Sequence, residues 1–98
     1  MLHFEIIFPS GTDPVDIDCR VGEIFYSEGL QISLKSTLRA YPGCIHWHWK
    51  KGAGKGILEV THWPQNSRLW ISAHSNRTAD WIDELLPRLV ERLQTNFL

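Results

Sequence analysis

Cysteine is scarce in this chain, where Cys19 and Cys44 are the only two among 98 residues. Two cysteines are too few for a disulfide-rich scaffold, so both are expected to be free thiols in the reducing cytoplasm. Long apolar runs are also missing, since no segment approaches the roughly 18 residues that a membrane span needs. The first ten residues include no lysine or arginine, which argues against a secretory signal. These absences predict a cytoplasmic protein with no membrane partner.

A strong excess of one charge is lacking as well, because 10 basic and 11 acidic residues give a formal net charge of −1. The charges are unevenly distributed along the chain. Residues 1–30 hold six acidic residues and one basic residue, whereas residues 31–76 hold six basic residues and one acidic residue. We interpret these two regions as neutralising each other, either within one molecule or between subunits.

Repeats, low-complexity tracts and linkers are absent, and a hydrophobic fraction of 43% is typical of an ordered protein. Residues 1–98 are therefore predicted to form a single domain with one core. Leu2, Phe4, Ile6 and Phe8 alternate with other residues, which predicts a strand with one buried face. A turn rich in proline and glycine follows this strand.

The segment between this turn and residue 41 gives weaker signals. Residues 15–20 carry no clear pattern, and residues 23–27 are predicted to form a second strand. Leu34, Leu38 and Tyr41 have helical spacing, which favours a short helix over about 33–41. The alternation of Leu30, Ile32 and Leu34 leaves a strand as the alternative.

Three further strands have clear alternation, and turns that favour hairpins separate them. Their apolar positions fix the register, because a slip of one residue would turn every apolar side chain outward. The first hairpin pairs Trp47 with Val60, and the second pairs Val60 with Ile71. Trp47 and Trp49 are then expected in the core, beneath the helices.

A long amphipathic helix is predicted at the C-terminal end of the sequence, with Thr78 as its N-cap. Pro87 lies inside its apolar stripe and is expected to kink the helix or break it in two. The predicted fold is α+β: two layers, with a mostly antiparallel sheet of about five strands and both helices packed on one face. The predicted order is β-β-α-β-β-β-α.

The sheet face opposite the helices is the place where a site is expected. The predicted partner-binding face comprises His46, His48, Glu59, Thr61, Trp63, Trp70 and Ser72. Exposed tryptophans offer apolar area that monomers seldom leave bare, which favours a protein partner or a homodimer. The alternative is that the N-terminal segment folds over this face.

Metal binding is a further hypothesis for the same face. Alternate residues of a strand lie about 6.6 Å apart, so two neighbours can share an ion but Cys44, His46 and His48 cannot all do so. His46, His48 and Glu59 form the plausible ligand set for zinc or non-haem iron. His74 is expected to lie too far away to join them.

Nucleic-acid binding is the other alternative, with Lys50, Lys51, Lys55 and Arg68 supplying charge and exposed aromatic rings stacking on bases. A helix, three strands and a helix over residues 33–97 resemble the double-stranded-RNA-binding domain in topology. That family's lysine cluster opens its second helix, whereas the second helix predicted here opens with acidic residues. The lysine cluster of this chain lies instead in the first hairpin loop.

Catalytic signatures are absent from the sequence. Glu59 would stand between His48 and Ser72, which is the wrong order for a catalytic triad. The loop over residues 52–56 does not match a phosphate-binding loop, and its glycines are those of a turn. The sequence therefore predicts a small non-catalytic binding module that needs no cofactor, with nucleic-acid binding and metal binding as alternatives.

Overall fold

A computed structural model describes residues 2–98, which form five strands and two α-helices. The elements in chain order are β1 (Leu2–Ile6), α1 (Pro14–Ser27), β2 (Gln31–Ser36), β3 (Ile45–Lys50), β4 (Leu58–Trp63), β5 (Arg68–Ala73) and α2 (Asp80–Phe97). Short 3-10 turns cover Pro64–Asn66 and Ser75–Arg77. The predicted α+β class, with five strands and a long C-terminal helix, is confirmed.

The strands form one antiparallel sheet in the order β1-β5-β4-β3-β2. Both predicted hairpin registers are confirmed, with Trp47 opposite Val60 and Val60 opposite Ile71. The predicted N-terminal strand is also present, and it pairs with β5 at one edge of the sheet. The N-terminal segment therefore extends the sheet and does not lie across its face.

The strand predicted over residues 23–27 was wrong, because these residues end the helix α1, which also includes residues 15–20. Asp13 caps the helix by accepting a hydrogen bond from the backbone N–H of Val15 at 2.9 Å. Pro14 occupies the first turn, where its missing N–H costs nothing. The buried residues Ile17, Val21, Ile24 and Phe25 have the spacing of one helix face.

The short helix predicted over 33–41 was also wrong, since residues 31–36 form β2 and the chain then turns without regular structure as far as Cys44. Strand β2 contains a bulge between Ile32 and Leu34. Ile32 pairs with Trp49, whereas Leu34 pairs with His48. Because alternate residues of a regular strand share a face, the bulge moves Leu34 to the face opposite Ile32.

Helix α2 begins one residue later than predicted. Thr78 is extended, Ala79 is the N-cap, and the cap makes no side-chain hydrogen bond. Asp80 and Asp83 stabilise the first turn through their charge. The helix continues through Pro87 to Phe97, so it is not broken in two.

Both helices lie on one face of the sheet, as predicted. Their apolar faces form the core with side chains of the central strands, including Trp47, Trp49 and Val60. Glu28, at the end of α1, forms ion pairs with Arg88 and Arg92 of α2 and holds the two helices together. Neither helix in residues 2–98 has the combination of length and apolar character that crossing a membrane requires.

Candidate metal centre

His46, His48 and Glu59 meet on the sheet face opposite the helices. His46 and His48 are alternate residues of β3, and Glu59 stands opposite His48 on β4. Nε2 of His46 lies 3.0 Å from Oε1 of Glu59 and 3.1 Å from Nε2 of His48. Nε2 of His48 lies 3.6 Å from the same Oε1. Three atoms able to bind a metal therefore point at one position.

Thr61 fixes the orientation of the His46 ring. Its Oγ1 lies 2.8 Å from Nδ1 of His46, and both residues are buried. An Nδ1–H donated to this hydroxyl leaves Nε2 as the free lone pair, facing Glu59 and His48. Burial lowers the pKa of both His46 and His48, which favours the neutral imidazole that binds metals.

His74 approaches the same carboxylate from the other side, but it does not join His46, His48 and Glu59 as a ligand, as expected. Its Nε2 lies 2.9 Å from Oε2 of Glu59, although the geometry of this contact is not that of a hydrogen bond. Strand β5 ends at Ala73, so His74 begins a turn and strand alternation does not set its position. Its side chain is 40% exposed and lies at the rim of the site.

Among the residues that the structure describes, no lysine or arginine pairs with the Glu59 carboxylate. Its side chain is 8% exposed, and within residues 2–98 its ion-pair partners are three imidazoles: His46, His48 and His74. Burying a carboxylate without a full counter-charge costs several kcal/mol, about as much as a small domain can spare. A bound cation would supply the positive charge that this buried carboxylate lacks.

The loop between β2 and β3 covers part of this face, which the sequence did not predict. The Tyr41 ring lies 5.0 Å from the rings of Trp63 and Trp70. The Trp63 indole donates a hydrogen bond to the carbonyl of Pro42 at 2.9 Å. Trp70 is only 5% exposed, so it offers little of the apolar area expected for a partner.

A cleft of about 330 Å³ opens over this face and is lined by His46, His48 and Glu59. One wall consists of the aliphatic side chains of Leu34 and Leu38, and Leu34 faces the cleft because of the bulge in β2. Asn76 and Arg77 form the opposite rim. Ser36 completes the polar part of the lining. The centre is therefore accessible to a small ligand.

The basic residues named for nucleic acid lie at two opposite ends of β4. Lys50, Lys51 and Lys55 lie at the β3–β4 turn, whereas Arg68 follows the β4–β5 turn at the opposite end of β4. Arg68 is paired with Glu5 and stacks on Trp70, with its guanidinium carbon 4.4 Å from the ring centre. Ser72, the remaining residue of the predicted partner-binding face, is buried opposite Glu59.

A second histidine–carboxylate pair lies on the helix side of the sheet. Nδ1 of His62 lies 2.6 Å from Oδ1 of Asp18 on α1, and His62 is buried. His62 lies on the same face as Val60, because alternate residues of a strand share a face. This pair joins α1 to β4 beneath the helices, away from the cleft.

Comparisons of the chain with protein-family models, with curated proteins and with solved structures found no match. A function for this protein is therefore inferred from the geometry and chemistry of its own residues.

Proposed function

We propose that this protein is a small binding protein whose ligand is a divalent transition-metal ion, zinc or iron(II), held by His46, His48 and Glu59. The observation that carries this proposal is the mutual spacing of the three donor atoms, 3.0, 3.1 and 3.6 Å. A tetrahedral ion with bonds of about 2.0–2.1 Å places its ligand atoms about 3.3–3.4 Å apart. The three donors thus have the spacing of a metal-binding site.

The chemistry of the donors supports the same ligand. Two imidazoles and a carboxylate suit zinc and iron(II), whereas calcium and magnesium prefer oxygen ligands alone. His46 is oriented by Thr61, and Glu59 is approached on its second oxygen by His74. Such contacts behind the ligands are typical of metal sites, because they fix the ligand orientation.

A cluster joined only by hydrogen bonds is the competing interpretation. Two Nε2 atoms 3.1 Å apart need a proton between them if no metal is present. A bound ion removes this requirement, since both nitrogens can then act as lone-pair donors. It also supplies the positive charge that the buried Glu59 carboxylate lacks.

Metal binding is tested by titrating the untagged, chelator-treated protein with Zn²⁺ in a calorimeter and measuring bound metal by mass spectrometry. We expect one zinc ion per chain. Glu59→Gln and His48→Gln each remove one ligand and should weaken zinc binding at least about 100-fold, more than loss of a supporting contact does. His3→Gln is the matched control, because His3 is exposed and pairs with Glu5 on the same face.

Substoichiometric zinc, or equal zinc affinity in the wild type and both ligand variants, would contradict the proposal. Circular dichroism of each apo variant establishes that the fold is retained. Weaker binding in His3→Gln alone would place the ion elsewhere on the sheet.

Self-association through this face stays a prediction, as does a cytoplasmic location. With Trp70 under Tyr41, the apolar contact area available to a second copy lies at Trp63, Leu34 and the exposed edge of β2. A molecular mass that rises with concentration in sedimentation experiments would support a homodimer.

A further inference from the structure

The proposed metal centre leaves one coordination position free, and this inference rests on that centre. Three protein ligands complete three corners of a tetrahedron, and the fourth corner is taken by water or by an exchangeable ligand. Sites with three protein ligands are the kind that exchange ligands, whereas purely structural zinc sites have four. The cleft of about 330 Å³ is lined by all three ligand residues and offers a route to the fourth corner.

Arg77 is the only lysine or arginine that lines this cleft, and its side chain forms no ion pair within residues 2–98. Asn76 adjoins it on the rim and supplies amide donors. With a divalent ion bound, Glu59 contributes one negative charge against three positive charges from the ion and Arg77. The cleft would then have a net positive charge.

The backbone holds Arg77 at this position. Its carbonyl accepts a hydrogen bond from Ile57 N–H at 3.0 Å, which joins the β5–α2 turn to the β3–β4 hairpin. Its own N–H donates to the carbonyl of His74, also at 3.0 Å. The residue that contacts Glu59 and the residue that supplies the positive charge are therefore joined in one short turn.

We propose that the fourth coordination position binds a small organic oxyanion, a carboxylate or a phosphate, whose second oxygen is held by Arg77. The planar guanidinium suits such a group, because it can donate two parallel hydrogen bonds to carboxylate or phosphate oxygens. Leu34 and Leu38 form an apolar wall for the rest of the ligand. The cleft volume lies near the lower end of the range for small-molecule sites, which limits the ligand to a small molecule.

The inference is tested with the full chain loaded with Co²⁺, a spectroscopic substitute for zinc. Its visible absorption is recorded while inorganic phosphate or acetate is added at constant ionic strength, because screening alters charge interactions. We expect both probes to change the cobalt spectrum, and the dissociation constants show which oxyanion is preferred. Arg77→Gln should raise both constants about tenfold, and Arg77→Lys should raise them less.

Arg39→Gln is the matched control, since Arg39 is exposed and does not line the cleft. Unchanged dissociation constants in Arg77→Gln, or the same increase in Arg39→Gln, would overturn the role of Arg77. A cobalt spectrum that neither probe alters would overturn the oxyanion ligand while leaving the metal centre in place. Failure to bind cobalt or zinc at all would overturn the proposed function itself.

Discussion

His46 is the residue that connects the proposed metal ligands to the supporting hydroxyl of Thr61. Its Nε2 faces Glu59 and His48, and its Nδ1 contacts the hydroxyl of Thr61. When Nδ1–H donates to that hydroxyl, Nε2 carries the lone pair that a metal ion needs. Thr61 is therefore expected to act on the metal through His46 without touching it.

Thr61→Val tests this role, because valine keeps the shape of threonine and removes only the hydroxyl. We expect zinc affinity to fall about 10- to 100-fold, the usual cost of losing a supporting contact behind a metal ligand. Isothermal titration with Zn²⁺ measures the loss. A change in thermal stability of the apo protein with no change in zinc affinity would show that Thr61 has only a structural role.

Ser72→Ala is the matched control for Thr61→Val. Ser72 is another buried hydroxyl residue of the same face, located opposite Glu59 on β5, and no side-chain hydrogen bond to a metal ligand is found for it within residues 2–98. Its substitution should leave zinc affinity within about twofold, since no ligand would be reoriented.

The β3–β4 hairpin was predicted from the sequence, but the packing of its loop against helix α2 was not. The glycines of residues 52–56 form a turn, as expected, but the turn also packs against the start of α2. The Trp81 indole donates a hydrogen bond to the carbonyl of Lys55 at 2.9 Å. Gly56 has φ +99°, and a Cβ added there would lie 2.7 Å from that of Ala79. Gly56 is thus needed both for its backbone conformation and for this close contact.

Gly56→Ala should destabilise the protein by about 1–3 kcal/mol, the cost of a strained backbone conformation, with the contact at Ala79 adding to it. For a domain of this size we expect a melting temperature lower by roughly 4–8 °C per kcal/mol. Gly54→Ala is the control in the same loop, because a Cβ there meets its nearest neighbour at an ordinary 3.6 Å. Equal melting temperatures for the two variants would contradict this account of Gly56.

The registers of the two hairpins were predictable from the sequence, whereas helix α1 and strand β2 were not. A period of two left one register for each hairpin, which correctly placed His48 beside Glu59. Helix α1 had a usable signal in Asp13-Pro14 and the spacing of Ile17 and Val21, but the short alternation near residue 25 obscured it. The bulge in β2 has no such signal, since its position depends on pairing with β3.

The whole molecule consists of a helix layer, a sheet layer and one loop that covers part of the outer sheet face. The helices bury one face of the sheet, and the loop that carries Tyr41 buries part of the other face, leaving the cleft beside it. The sequence predicted that His46, His48 and Glu59 lie together on the sheet face opposite the helices. It did not predict His74, Arg77 or Leu34 beside them, because a turn and a bulge set their positions.

The central claim is that His46, His48 and Glu59 bind one metal ion together. Its most direct test is a crystal of the zinc-equilibrated protein, with diffraction measured on both sides of the zinc absorption edge. We predict one anomalous peak per chain, about 2.0–2.2 Å from Nε2 of His46, Nε2 of His48 and Oε1 of Glu59. The absence of a peak at this position, with the three side chains joined only by hydrogen bonds, would contradict the claim.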